Sequence, residues 1–466
     1  MDAKKLVARL SRLTDSVEAL EKAVAYAFIS VNSYDTNKSA FLTKYFGDLD
    51  YAVAKKATSI ITETDVSLSI YALVEVFELL LPKDIKKENG MVYTPTEIKD
   101  YIIGKVLQTD NIPTVCDPAC GCGSFLLSAA EFIKRVHGIS YSEIFSKYIF
   151  GVDIVEHNIE KCKVLFNLLV VASNETIESV LNLKVGSSLS LDWGNEFNLY
   201  PEDGFDAIIG NPPYVRSRNV TSEVRNEMSS WQTAKTGNAD LYIPFYELGV
   251  EFLSARGKLG YISPNTFIQS VNGRSLRRYL LENGFAISIL DFRETQVFKN
   301  VTSYTCITIV DKSCHDGSIR YALLNGKRSL SDYSFTEYKK GCFNGYDPWR
   351  MSEKEIDSII KKIENVGVKL DSYKIRNGLA TLKNDVYFFM PTCEDELYFY
   401  RQNNGITYPI ERCGVDVVLD KWNLKEGHDK YAFMEQAVNN PEVTHSIKSP
   451  QCEQSVFHPQ PQYFLY

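Results

Sequence analysis

Residues 205–214 read FDAIIGNPPY. The first half, FDAIIG, is apolar and carries two adjacent isoleucines, the pattern of a short buried strand. The second half ends that strand abruptly. Proline has a fixed φ and no N–H for a ladder, so Pro212 and Pro213 stop pairing and stiffen the exit. A rigid exit fixes where the Asn211 side-chain oxygen and the Pro212 carbonyl point, and both accept hydrogen bonds. Two acceptors held together suit an NH2 group. Tyr214 adds an aromatic face on which a flat group can stack. The motif contains no nucleophile and no general base. It therefore fits a reaction in which a bound planar amine itself attacks a strongly electrophilic carbon. A proline-rich turn that merely closes a strand is the plainer alternative, and the surrounding pattern speaks against it.

That pattern alternates. PTVCD (113–117), IFGVD (149–153), LKVGSS (183–188), GKLGYISP (257–264), AISILDF (286–292) and TCITIV (305–310) read as further strands. SFLLSAAEFIKRVHG (124–138), with Gly138 as its stop, and stretches near 155–172, 240–256 and 273–283 read as helices. Alternation of this kind predicts an α/β fold: a doubly wound, mostly parallel sheet covered on both faces. Upstream, Leu6, Leu10, Leu13, Val17 and Leu20 recur at helical steps, and VSLSIYALVEVFELLL (66–81) is a second apolar helix ending at Pro82. DIKKENG (84–90) is a polar linker. Past about residue 320 the alternation fades. The expected division is an N-terminal helical region (1–88), an α/β core (89–320) and a C-terminal domain (321–466).

In a doubly wound sheet, ligands bind at the carboxyl ends of the strands. The first such end is VCDPACGCGSFLL (115–127), where Gly121 and Gly123 permit a tight turn leading into a helix N-terminus. The second, GVDI, presents Asp153, which can accept both hydroxyls of a ribose or simply cap the following helix. A glycine loop followed by such an acid points to a nucleoside-containing cofactor. The loop is not G-x-G-x-x-G, and G-x-x-x-x-G-K-[ST] occurs nowhere, which disfavours NAD and ATP. Cys116, Cys120 and Cys122 lack a second ligand pair, and the nearest following histidine is His137. They read as small residues in a tight turn rather than as a metal site.

Composition bounds the rest. The 466 residues suggest two or three domains at roughly 100–200 residues each. Ten cysteines without paired spacing fit reduced thiols and a cytoplasmic protein. The N-terminal MDAKKLVARL leads into no apolar signal region, and no apolar run approaches the roughly 18 residues of a membrane span, so no membrane partner is expected. The net charge of −8 argues against a protein that coats nucleic acid. Residues 271–350 nevertheless carry twelve Lys or Arg against eight Asp or Glu, a local +4 (12 − 8). Within them GRSLRRYL (273–280) makes Arg274, Arg277 and Arg278 the candidate phosphate contacts, unless they merely decorate a solvated helix.

Taken in order, GMVYTP (90–95), DPACGCGSF (117–125), GVDI (151–154), DAIIGNPPY (206–214), DLYIPFYELGVEFL (240–253), GKLGYISPNTF (257–267) and VFKNVTSYTCITIV (297–310) resemble the motifs of γ-class, TaqI-like DNA adenine-N6 methyltransferases. KIRNGLATLKNDVYFF (374–389) resembles the start of that family's target-recognition domain. The resemblance implies a Rossmann-like core that uses S-adenosyl-L-methionine and methylates a flipped-out adenine in double-stranded DNA. That activity belongs to restriction–modification or a related defence system. It implies that Tyr93, Thr94, Pro95 and Asp117, with Pro118, Ala119, Gly121 and Gly123, hold the methionine end of the cofactor. Asp153 and Ile154 take its ribose side, Asn211, Pro212 and Tyr214 grip the target adenine, and Phe298 stacks on it. Where many relatives have an acid after the glycine of the third strand, this chain has Ser187, with Asp192 five residues on. Either is expected beside the cofactor's adenine. The end at QYFLY implies a shortened recognition domain or a companion specificity subunit or endonuclease. Two rival readings are a glutamine-N5 protein methyltransferase, whose relatives lack a region like 321–466, and a non-catalytic DNA-binding module. Intact Asp117, Asp153 and Asn211 speak against the module.

Overall fold

The computed structural model describes residues 3–63, 69–80, 94–107, 110–177, 181–197, 203–235, 238–293, 304–324, 330, 333–339, 341–352, 356, 358–359, 362, 388–389, 392–403, 406–411, 415–418 and 462–465. The chain divides into two compact units, 1–363 and 364–466.

Five helices open the first unit: α1 (Ala3–Leu10), α2 (Val17–Asn32), α3 (Ala40–Tyr45), α4 (Tyr51–Thr62) and α5 (Ile70–Leu80). The leucine rhythm of residues 6–20 reads as one helix but folds as two. Ser16 is extended and its side chain accepts the Ala19 N–H, so it starts a new helix instead of continuing the old one. The α/β part follows: α6 (Thr96–Val106), β1 (Val115–Asp117), α7 (Ser124–His137), α8 (Tyr141–Lys147), β2 (Ile149–Asp153), α9 (Glu156–Ala172), β3 (Asn182–Val185), α10 (Trp193–Glu196), β4 (Phe205–Gly210), α11 (Ser222–Met228), α12 (Tyr242–Phe252), β5 (Leu253–Pro264), α13 (Arg274–Asn283), β6 (Ala286–Asp291), β7 (Thr305–Asp311), β8 (Ile319–Leu323) and β9 (Thr336–Tyr338).

The nine strands form one sheet in the order β3-β2-β1-β4-β5-β7-β6-β8-β9. β3 through β5 are parallel, β7 runs antiparallel to β5 and β6, β8 is parallel to β6, and β9 is antiparallel to β8. The expected mostly parallel, doubly wound sheet is therefore present. Its alternating side chains feed two cores. Ala207 and Ile209 join the core on the side of α1, α2, α5, α7 and α9, while Ile208 joins the core with α12 and α13.

The N-terminal helices share that first core with the α/β elements. A buried ionic cluster ties them together: Glu21 of α2 meets Lys161 Nζ at 2.6 Å and His157 Nε2 at 2.8 Å, both on α9. At the other end, β8 and β9 extend the sheet past the boundary expected at residue 320, and the compact unit closes at Ile363. In the second unit, β10 (Phe388–Phe389), β15 (Gln462–Leu465) and β14 (Val415–Val418) form one antiparallel sheet. β11 (Cys393–Glu394), β12 (Tyr398–Asn403) and β13 (Ile406–Glu411) form another.

The structure corrects the reading of one basic residue. Arg277 was expected on a DNA-facing surface, yet its side chain is wholly buried in α13. Its guanidinium donates to the carbonyls of Phe267 (2.7 Å), Ser270 (2.7 Å), Asp347 (3.0 Å) and Tyr346 (3.2 Å). It stitches the loop after β5 and the 344–348 turn to the helix, which is a structural task. Arg274 is exposed, and Arg278 is half-exposed with Glu282 3.6 Å away. Removing the Arg277 fork leaves buried carbonyls without a donor, so Arg277→Met is expected to destabilise the fold by about 3 kcal/mol. Arg274→Ala should stay within about 0.5 kcal/mol. Chemical unfolding of the two variants checks this, and equal small effects would return Arg277 to the surface.

Candidate functional site

The carboxyl ends of β3, β2, β1 and β4 lie side by side, and the sequence motifs meet there. The glycine loop leaves β1 at Asp117. Gly121 and Gly123 both adopt positive φ (+55° and +86°), which side chains rarely tolerate. A Cβ on Gly123 would sit 2.4 Å from Cys162 Sγ, so the turn can lie directly on α9. A Cβ on Gly121 would meet no atom within 4 Å, so the crest of the loop opens onto the space at the strand ends. Cys120 and Cys122 point into the core below this loop while Cys116 points into the core on the opposite face of the sheet, so the three thiols do not converge.

Asp153, at the end of β2, does more than the sequence suggested. One carboxylate oxygen accepts the Gly121 N–H at 2.9 Å. The other accepts the Val155 N–H at 2.9 Å and the Asn158 amide at 3.0 Å. The side chain thus ties the glycine loop to the turn that leads into α9. The helix cap weighed from sequence is not formed, and the three bonds leave the carboxylate, with about four acceptor sites, room for a further donor. Beside it, Ile154 is 57% exposed, and Val185, which pairs with Asp153 across the β2–β3 register, is 47% exposed.

Asp117 is buried, and one of its oxygens accepts the Ala119 N–H at 3.0 Å. It lies against the end of β4. A Cβ on Gly210 would stand 2.5 Å from the Asp117 carboxylate oxygen, so a glycine is required where the two motifs touch. Next along the chain, the Asn211 amide nitrogen donates to Thr94 Oγ1 at 3.1 Å, and Thr94 is itself buried at the start of α6 beside its cap residue Pro95. That bond turns the amide oxygen to the opposite side of the group. Pro212 is buried, and Tyr214 is half-buried with its hydroxyl donating to the Ile262 carbonyl at 3.3 Å. Thr94, Asp117 and Asn211, from three separate motifs, therefore join at one place. Tyr93 and Phe298 lie outside the described residues.

At β3 the structure separates the two expected candidates. Asp192 is exposed and caps α10, accepting from the Asn195 backbone and side chain. Ser187 instead donates to a carboxylate that sequence order did not reveal, Glu227 of α11, at 2.5 Å. Ser188 reaches back to the Pro118 carbonyl at 2.5 Å and so ties this strand end to the glycine loop.

Burial raises the Asp117 carboxyl to about 8, and the neighbouring Asp153 charge adds to the shift. Between the unfolded value near 4 and about 8, the unfolded chain releases a proton that the folded chain keeps, so stability falls as pH rises through that window. Asn cannot titrate. Asp117→Asn is therefore expected to gain stability relative to the parent progressively from about pH 4 to about pH 8, then level off. Thermal unfolding at about pH 5 and about pH 8 tests the sign; a pH-independent difference would mean that Asp117 stays ionised in the fold.

Comparison with known proteins adds a family match over part of the chain. Residues 147–298 match the Eco57I restriction-modification methylase family. The chain is 27% identical over 394 residues to the type II restriction enzyme and methyltransferase RM.Eco57I of Escherichia coli, covering 71% of this chain and 39% of that protein. It is 28% identical over 352 residues to the type II methyltransferase M.BstVI of Geobacillus stearothermophilus, covering 65% of this chain and 60% of that protein. It thus spans less than two thirds of either relative's length. In fold it is similar to the type IIL restriction-modification enzyme MmeI, solved in complex with DNA. That match has a TM-score of 0.52 and 16% identity, over 74% of this chain and 60% of that one. The methyl donor of methylases of this family is S-adenosyl-L-methionine.

Proposed function

We propose that this chain, which carries a methylase domain of the Eco57I restriction–modification family, is a site-specific DNA methyltransferase that acts on the N6 amine of a flipped-out adenine. The observation that carries the reading is the junction of Thr94, Asp117 and Asn211 behind Tyr214. It is a rigid pair of acceptors, the Asn211 oxygen and the Pro212 carbonyl, set next to a cofactor loop and beside an aromatic ring.

The residues fit S-adenosyl-L-methionine. Thr94, Pro95, Asp117, Pro118, Ala119, Gly121 and Gly123 would hold its amino-acid end, and Asp153 and Ile154 its ribose, where the crest at Gly121 is open. When bound, that cofactor supplies a methyl group on a positively charged sulfur. The protein's own task is the amine. An aromatic amine is a poor nucleophile because its lone pair is delocalised into the ring. Hydrogen bonds from both N–H groups to fixed acceptors favour the pyramidal form and share the positive charge that develops on nitrogen. Tyr214 offers its ring to the base, and anchoring its hydroxyl on Ile262 fixes the ring's orientation. A base reaches such a site only out of the duplex, so flipping follows.

The exposed Arg274 and the half-exposed Arg278 remain candidates for phosphate contact. Sequence recognition, expected from residue 321 onward, is assigned to the second unit, 364–466, because β8 and β9 belong to the core sheet. A companion endonuclease or specificity subunit, in the cytoplasm, completes the proposal. Among the described residues, no helix is long and apolar enough to cross a membrane.

Asn211 acts mainly in the transition state, where nitrogen becomes positive, whereas Tyr214 acts equally before it. Asn211→Ala is expected to lower turnover on the order of a hundredfold or more while DNA binding and the fluorescence rise of 2-aminopurine at the target persist. Tyr214→Ala should weaken that flipping signal, by roughly 1–3 kcal/mol of stacking, and keep part of its turnover. The target site itself is read by sequencing DNA from expressing cells with a method that detects N6-methyladenine. Methylation by Asn211→Ala at near-parental turnover would make the amide structural and overturn the reading.

A further inference from the structure

The segment 215–241 begins directly after Tyr214 and returns to its own start, since the Leu241 N–H donates to the Val215 carbonyl at 2.9 Å. Between these ends it carries α11 and docks onto the exit of β3 at two points. Ser187 Oγ donates to Glu227 Oε2 at 2.5 Å, and the Trp231 indole donates to the Leu189 carbonyl at 3.0 Å. A third anchor lies on α12, where the Gln232 and Thr233 N–H groups donate to the Glu247 carboxylate at 3.1 and 2.7 Å. A half-buried carboxylate is thereby held over the end of a strand that brings none of its own.

The sheet order says what that carboxylate faces. The strands run β3-β2-β1-β4. On the reading above, on which this step rests, the target amine sits at β4, the cofactor's amino-acid end at β1 and its ribose at β2. Continuing along the same line, the base of the nucleoside falls at β3. The rim there suits a purine: Ile154 and Val185 present exposed apolar side chains for its faces. A purine amine also needs an acceptor at its edge. Ser187 has committed its proton to Glu227, and Asp192 is engaged at the N-terminus of α10.

We propose that Glu227 is the acceptor for the exocyclic amine of the cofactor's adenine, with Ser187 as the positioning residue that holds the carboxylate. One oxygen takes the serine proton, and the group keeps acceptor capacity for an amine N–H. A charge-assisted bond of this kind discriminates strongly against a ligand that lacks the donor.

The test uses the full chain and two ligands: S-adenosyl-L-homocysteine, and S-inosyl-L-homocysteine, which has a carbonyl oxygen in place of the amine. By calorimetry the parent protein is expected to prefer the adenosyl ligand by about tenfold or more. In Glu227→Ala that preference should collapse towards unity, chiefly through weaker binding of the adenosyl ligand. Ser187→Ala should reduce it in part. Glu227→Gln, which keeps the shape and can donate to the inosyl oxygen, should lower or reverse it, and it carries the test if the alanine variant fails to fold. A preference unchanged in Glu227→Gln and Glu227→Ala would overturn the assignment while leaving the cofactor reading intact. A parent protein that binds neither ligand would overturn both.

Discussion

The site depends on how closely the end of β4 approaches Asp117. Any side chain at position 210 would place its Cβ 2.5 Å from that carboxylate. The glycine lets a buried acid and the Asn-Pro-Pro-Tyr exit share one small volume. Burial then keeps the carboxyl protonated well above the usual range. A group so placed is costly to ionise unless a cation arrives to pair with it. The fold therefore holds a buried acid at the expense of stability as pH rises towards about 8. A carboxyl so strongly perturbed by burial at the strand ends is a candidate functional residue.

The sequence made the first half of the sheet legible because its strands are short, apolar and bounded by turn residues. FDAIIG and IFGVD appear with the limits read from the chain. Two features were not legible. The break between α1 and α2 falls inside a perfect leucine rhythm, where a serine hydroxyl competing for backbone N–H groups outweighs the period. The burial of Arg277 was likewise hidden. In GRSLRRYL three arginines look alike, and only the approach of the 344–348 turn, some seventy residues away in sequence, takes one of them out of solvent. Charge patterns report which residues carry charge, not which side of a helix the rest of the chain covers.

The site was legible to the extent that its residues lie at strand ends. Asp153, Asp117 and Asn211 follow three predicted strands, and parallel pairing sets those ends in one row. Contacts made by residues that belong to no motif escaped. Asn158 braces Asp153 from one turn inside α9, and Glu227 meets Ser187 from forty residues downstream. One lies on a long helix and the other on a short one, and in neither case does local spacing tell which strand end the side chain will reach.

The same geometry explains why the stretch after the NPPY motif is folded and not a bare loop. A rigid exit such as Pro212–Pro213 directs the chain away from the sheet, yet the backbone must return to start α12 beneath it. The return is made by a closed segment: Val215 and Leu241 are bonded to each other, and Asp240 accepts the Ser217 N–H at 2.8 Å. Closing the base of the segment makes its far end a nearly independent cover, and α11 can then lie across β3 without disturbing Tyr214. The cover springs from Tyr214 and rests on the exit of β3, so one continuous piece of chain spans both ends of the site proposed above.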